Sequence, residues 1–319
     1  MSWLKFLSSK HEGKKQASYE APSGPPPGWT PAPEQSHTYG LRNEATDDEY
    51  ESAEAFCRQY PVETPKLLSS ETVERIDVAG CRLWTLEQPR SARFMGRVIG
   101  GGEKGSGTTK VVTSEKCGDV CLMSNLPLLA GLYDTQGKSG VYYEICIHRM
   151  DGIIAIGTAS KPYPDWRFPG WNRTSVGLHL DDMRKFFEDP TGGCDYSPLL
   201  QRISPGDIIG CGYDFTSSGI FYTYNGHRLP DAFGGVYVPR TQFDVYAAIG
   251  VEGACDFEVN FGGDLFRWKE GNEWAWRVEG HVGKLSGGSA SYNDELPSYE
   301  DTITWQFAPP LPVFDRQPH

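Results

Sequence analysis

The chain has 319 residues, enough for one large or two modest domains, but only 38% are apolar, so part of it is expected to lie outside any core. A net charge of −12 repels phosphate backbones and argues against nucleic-acid binding. No apolar run approaches the roughly 20 residues that span a bilayer, and eight cysteines without a secretory signal read as reduced, cytosolic thiols.

The first residues, MSWLKFLSSKHEGKK, lack the apolar stretch and small-residue cleavage site of a signal peptide. Trp3, Leu4, Phe6 and Leu7 stand beside lysines, as in a turn that docks on a membrane surface or partner; a frayed terminus is the reading favoured for so short a helix. Residues 1–66 hold eight prolines and then the acidic run NEATDDEYESAEAF. Proline removes donors and like charges repel, so this segment is expected to be a disordered Pro-rich and acidic tail.

Beyond it the pattern shifts to period two. Strands are predicted over 81–87, 110–114, 140–149, 153–160, 207–215, 220–224, 244–251 and 256–262, separated by turn signals such as Ser-Pro-Gly-Asp and Asn225-Gly226. The only helical suggestion is a turn at 179–189. Many short strands without intervening helices predict an all-β fold, a bent antiparallel two-sheet β-sandwich, over residues 67–280. In GDIIGCGYDFTSSGIFYTYNGHRL, Ile209, Cys211, Tyr213 and Phe215 share one face, and glycines on the other face admit close neighbours. Asn225-Gly226 suits a type I′ hairpin, since both residues tolerate positive φ. Residues 281–319 are expected to form a second flexible tail.

The blocks GVYYEICI, IAIGTAS, PGWNRTSVGLHLDD, GDIIGCGYDF, IFYTYNGHRL, AFGGV and YAAIGVEGACDFEVNFG follow one another in an order that resembles a SPRY domain, covering residues 110–263. The resemblance implies a concanavalin-like sandwich that binds a protein or peptide through loops at one end and is not an enzyme. The chain is similar, more narrowly, to fungal SPRY adaptors of WW-domain HECT ubiquitin ligases, which carry Pro-Pro-x-Tyr or Leu-Pro-x-Tyr motifs outside the domain. Leu296, Pro297 and Tyr299 supply that motif here, flanked by acids. Relatives of that kind often have a transmembrane helix; this sequence shows none. The expected location is the cytoplasm, with endosomal or vacuolar membrane surfaces reached through partners.

Catalytic and metal readings find little to stand on. In GGGEKGSGTTK at 100–110, Thr108 occupies the lysine position of a phosphate-binding loop and no helix follows. There is no Gly-x-Ser-x-Gly, and His148, His179 and His227 each stand alone. The densest acids, Asp47, Asp48, Glu49 and Glu51, fall in the expected tail, where two carboxylates cannot be held across a cleft. Cys117 and Cys121 lack a second pair at zinc spacing. No catalytic residue, metal or cofactor is expected.

Recognition is expected elsewhere. SKPYPDWRFPGWNRT at 160–174 crowds aromatics and arginines between prolines, the composition of interface hot spots on a loop. Phe168 and Trp171 are expected to plug the sandwich, and Tyr163, Trp166 and Arg167 are candidates for partner contact. Val251 and Glu252, in the loop that joins the same surface in SPRY relatives, are further candidates. In the tail, a polyproline-II turn would present Pro297 to an aromatic groove while Tyr299 fills the adjacent pocket. The expected function is a non-enzymatic adaptor, with a scaffold subunit of a CTLH-type ligase as the alternative and a sugar-active sandwich enzyme behind both.

Overall fold

The structure, a computed structural model, describes residues 46–101, 107–191, 193–236, 242–283 and 285. The Leu296-Pro297-Ser298-Tyr299 motif, the lysine-rich N-terminus and most of both expected tails lie outside the described residues.

Two helices precede the strands: α1 (Asp47–Gln59) and α2 (Ser70–Ala79). The strands are β1 (Gly96–Gly100), β2 (Thr108–Thr113), β3 (Val120–Met123), β4 (Gly140–Met150), β5 (Ile153–Ala159), β6 (Ser175–His179) and β7 (Arg184–Phe187), then β8 (Cys194–Asp195), β9 (Ile208–Asp214), β10 (Gly219–Tyr224), β11 (His227–Phe233), β12 (Tyr246–Glu252) and β13 (Cys255–Asn260). They form two sheets, in the orders β1-β2-β13-β4-β9-β10-β11 and β3-β12-β5-β6-β7-β8, with antiparallel pairing throughout. The expected all-β sandwich is what the chain builds.

Alternate side chains explain the packing. Tyr143, Ile145 and Ile147 of β4 and Ile209 and Cys211 of β9 join Ile154 and Ile156 of β5 and Ile249 and Val251 of β12 in one core between the sheets. Both outer faces are covered as well. On the seven-stranded sheet, Tyr142 and Phe221 lie under Phe266, Trp268 and Trp276 from the segment after β13. On the six-stranded sheet, Ile153 and Ala155 lie under Phe168, Trp171 and Phe186, while Cys121, Ala159 and Ala248 lie under Tyr163. Cover on both faces is why every residue of β5 is buried, where a sheet open on one side would leave alternate residues exposed.

Several local expectations are corrected. Residues 81–87 form no strand: Gly80–Leu83 is a 3-10 turn, and only Leu86 makes an isolated bridge, to Ser124. Residues 179–189 are no helix; Met183 turns with φ of 60° so that β7 pairs with β6. The acidic run expected to be disordered is helical from Asp47, because Thr46 caps it, its side chain accepting the Glu49 N–H at 3.4 Å, and acids in the first turn suit the helix dipole. The hairpin at Asn225-Gly226 is as expected, with φ of 50° and 85°. Glycines on the face opposite Cys211 do admit close neighbours: a β-carbon at Gly212 would run into the Phe221 ring.

Candidate functional site

Because the outer face of the six-stranded sheet is apolar, the 160–174 segment lies across it rather than standing free at a rim. Phe168 and Trp171 stack at 5.1 Å and plug that face as expected. The Tyr163 hydroxyl donates to the Phe168 carbonyl at 2.6 Å and accepts the Asn172 N–H at 3.3 Å, tying the two limbs together. Tyr163 is therefore a buried brace, not a contact residue.

Arg167 is the larger correction. Its side chain is 0% exposed and lies with the guanidinium carbon 4.5 Å from the centre of the Trp171 ring. Nε donates to Asn172 Oδ1 at 3.0 Å, whereas Nη1 and Nη2 are buried without a hydrogen-bond partner in the protein. Burial pulls its pKa down, against the nearby acids Glu49, Asp119 and Glu54. Val251 is also buried, because alternation along β12 sends it into the core between Ile154 and Val120. Glu252, the next residue, is half-exposed, and burial with the charges of Asp181 and Glu49 raises its pKa.

Trp166 is half-buried, and what covers it is α1. Phe56 of that helix meets the Trp166 ring edge-on, with centroids 5.7 Å apart. Glu54 Oε1 accepts from Asn172 Nδ2 at 2.9 Å, and Glu49 pairs with Arg93 at 2.8 Å. Just beyond the helix, Arg173 donates to the Tyr60 carbonyl, and the Glu63 N–H donates to the Lys161 carbonyl at 3.0 Å. An arginine ledge formed by Arg93, Arg167 and Arg173 thus carries an acidic helix. Asp119 stands within electrostatic reach of it; burial, Glu252 and Glu49 together push its carboxyl up to about 6. A cavity of about 580 Å³ opens beside the same segment, lined by Glu63, Glu87, Arg90, Met123, Lys161 and Asp165 among others.

The sequence reading missed α1, Arg93 and Asp119. Thr46-x-x-Glu49 at the head of the acidic run has the spacing of a capping box, and the apolar Ala53, Phe56 and Cys57 recur at i, i+3, i+4; those signals were available. The histidines occupy ordinary surroundings. His148 lies 3.6 Å from Glu258, His227 is exposed, and His179 is buried with Nε2 3.1 Å from the Pro169 carbonyl, burial lowering its pKa to about 4. Among the described residues no group of His, Cys, Asp and Glu could hold a metal ion, no disulfide joins any of the eight cysteines, and no helix is long and apolar enough to cross a membrane.

Residues 140–264 match the family model for the SPRY domain. A SPRY domain-containing protein of Schizosaccharomyces pombe is 34% identical over 198 residues, covering 61% of this chain and 45% of the relative. Protein ssh4 of Sclerotinia sclerotiorum is 33% identical over 171 residues, covering 53% of this chain and 30% of its own. The chain thus spans less than half the length of these curated relatives. Among solved structures, a human SPRY domain aligns with a TM-score of 0.39 at 22% identity, over 51% of this chain and 94% of its own.

Proposed function

We propose, for a chain that carries a SPRY domain, that it is a non-enzymatic adaptor working in the cytoplasm and at endosomal or vacuolar surfaces reached through partners. A SPRY domain is a protein-interaction module, so its ligand is a protein or peptide. The surface around the 160–174 segment, with Glu252, selects the partner, and Tyr299 in the acidic-flanked Leu-Pro-x-Tyr motif recruits a WW-domain HECT ubiquitin ligase. The observation that carries this reading is the SPRY match over 140–264 together with that tail motif. Similarity to proteins named ssh4 supports the narrower resemblance.

Binding of purified WW domains to the wild type and to Tyr299→Ala tests recruitment: loss of binding in the variant is expected, and equal binding removes the ligase from the proposal. Cross-linking of partners in cells, with and without Trp166→Ala, tests the sandwich half. Weaker capture at unchanged melting temperature is expected; unchanged capture removes the surface around Trp166 as the binding surface.

A further inference from the structure

Charge and burial are unusual under α1. The ledge is basic: Arg93 and Arg173 approach it from its margins and Arg167 lies at its base. Arg167 is wholly enclosed, yet two of its three nitrogens have no hydrogen-bond partner in the protein. A guanidinium presents a planar fork suited to a carboxylate, and leaving it enclosed without one is costly. The segment that covers it, DDEYESAEAFCRQ, carries five carboxylates against one arginine, so the charges of cover and ledge are complementary.

The cover is weakly held. Of α1 only Ala53 is buried; Glu49, Glu54, Phe56 and Cys57 are half-buried and the rest of its described side chains face solvent. A 13-residue helix with so little apolar burial is marginal by itself. Its fit is also imperfect. Glu49 bonds to Arg93, while Arg167 is left without a hydrogen bond to any acid. The same Glu49 sits within electrostatic reach of Asp119 and Glu252, which repel it. Such a helix fills a site without satisfying it.

We propose that the Arg93–Arg167–Arg173 ledge is a receptor for an acidic amphipathic helix of a partner protein, and that α1 occupies it in cis until that partner displaces it. The partner helix presents an aromatic residue to Trp166 and places a carboxylate on the free edge of Arg167. The inference rests on the adaptor reading above and names its ligand class. Docked α1 lowers the apparent affinity of the ledge by the fraction of time it is occupied.

The test uses the full chain and a fluorescent peptide spanning residues 46–60. Ala53→Arg forces a large charge into the buried contact and releases α1 without touching the sandwich core, which an unchanged sandwich melting temperature verifies. Anisotropy should show the peptide binding Ala53→Arg about tenfold more tightly than it binds the wild type. Adding Arg93→Ala, a half-exposed position outside the core, should reverse most of that gain, as should a peptide with Glu49→Lys and Glu54→Lys.

Equal binding to wild type and Ala53→Arg, or equal binding of native and charge-reversed peptides, overturns the proposal. A wild type that elutes as a dimer, with the dimer lost in Ala53→Arg, makes the occupant a second copy of this chain and overturns it as well. If the peptide fails while Trp166→Ala still weakens partner capture, the adaptor stands and the acidic-helix ligand alone falls.

Discussion

The rings of Phe56 in α1 and Trp166 in the 160–174 segment meet edge to face, 5.7 Å apart at 82°. An aromatic pair in this geometry adds about 0.5–1.5 kcal/mol beyond its burial, a large share of what a helix with one buried residue can draw on. Trp166→Ala is therefore expected to raise hydrogen exchange in the α1 amides about fivefold while the β4 and β5 amides keep their protection. Uniform loss of protection would place Trp166 in the global core instead.

Arg167 should behave as a buried cation retained at the expense of stability. Arg167→Met, which keeps the packing on Trp171 and removes the uncompensated guanidinium, is expected to leave the fold intact and to be neutral or stabilising by about 1–2 kcal/mol. Arg167→Ala leaves a cavity and should cost roughly 2–4 kcal/mol. Urea melts of the two variants decide; a strongly destabilised Arg167→Met would mean that the charge holds the loop together.

Asp119 sets one pH dependence. Its folded pKa of about 6 lies above the unfolded value, so the folded state binds the extra proton between about pH 4 and pH 6. Its contribution is fully present below pH 4 and is lost as pH rises through 6. Asp119→Asn should raise stability at pH 7 by about 1–2 kcal/mol and leave it unchanged at pH 4. The charges that face this carboxyl are Glu252, Glu49, Arg93 and Arg167. A variant effect independent of pH would sink this assignment.

His281 pulls the other way. It is 2% exposed, its Nε2 accepts the Ala130 N–H at 3.1 Å, and burial with the Lys138 charge lowers its pKa to about 3. The unfolded chain takes up a proton near pH 6.5 that the folded chain refuses, so stability falls as pH drops from 6.5 toward 3. The loss between pH 7 and pH 4 should be on the order of 3 kcal/mol for this residue. His281→Gln keeps an acceptor for Ala130 and should flatten that limb of the profile, read from thermal melts across the range.

Gly212 faces the Phe221 ring, and no methyl fits between them. Gly212→Ala is expected to cost about 1–3 kcal/mol through overpacking. Phe221→Leu in the same chain should recover part of the loss; a double-mutant cycle without coupling would show that the ring is not the obstacle.

What the sequence determined by itself was whatever repeats along the chain or closes locally. Period two announced β4, β5, β9, β10, β12 and β13 to within a residue or two, and Asn225-Gly226 announced its turn, because alternation and positive φ are short-range properties. It was the resemblance to the SPRY family, and no local period, that implied Phe168 and Trp171 would pack on the sandwich. Tertiary structure alone decided which side of the sheet each loop serves. Tyr163 and Arg167 carry the composition of a contact surface, yet they are buried, because an apolar outer face formed by Ile153, Ala155 and Ala248 needed a cover and the 160–174 segment supplied it. The acidic run read as a repelling tail because its charges were counted without a partner. Arg93, Arg173 and Asn172, between 40 and 130 residues further along the chain, supply what holds it as a helix, and no window of local sequence brings them together.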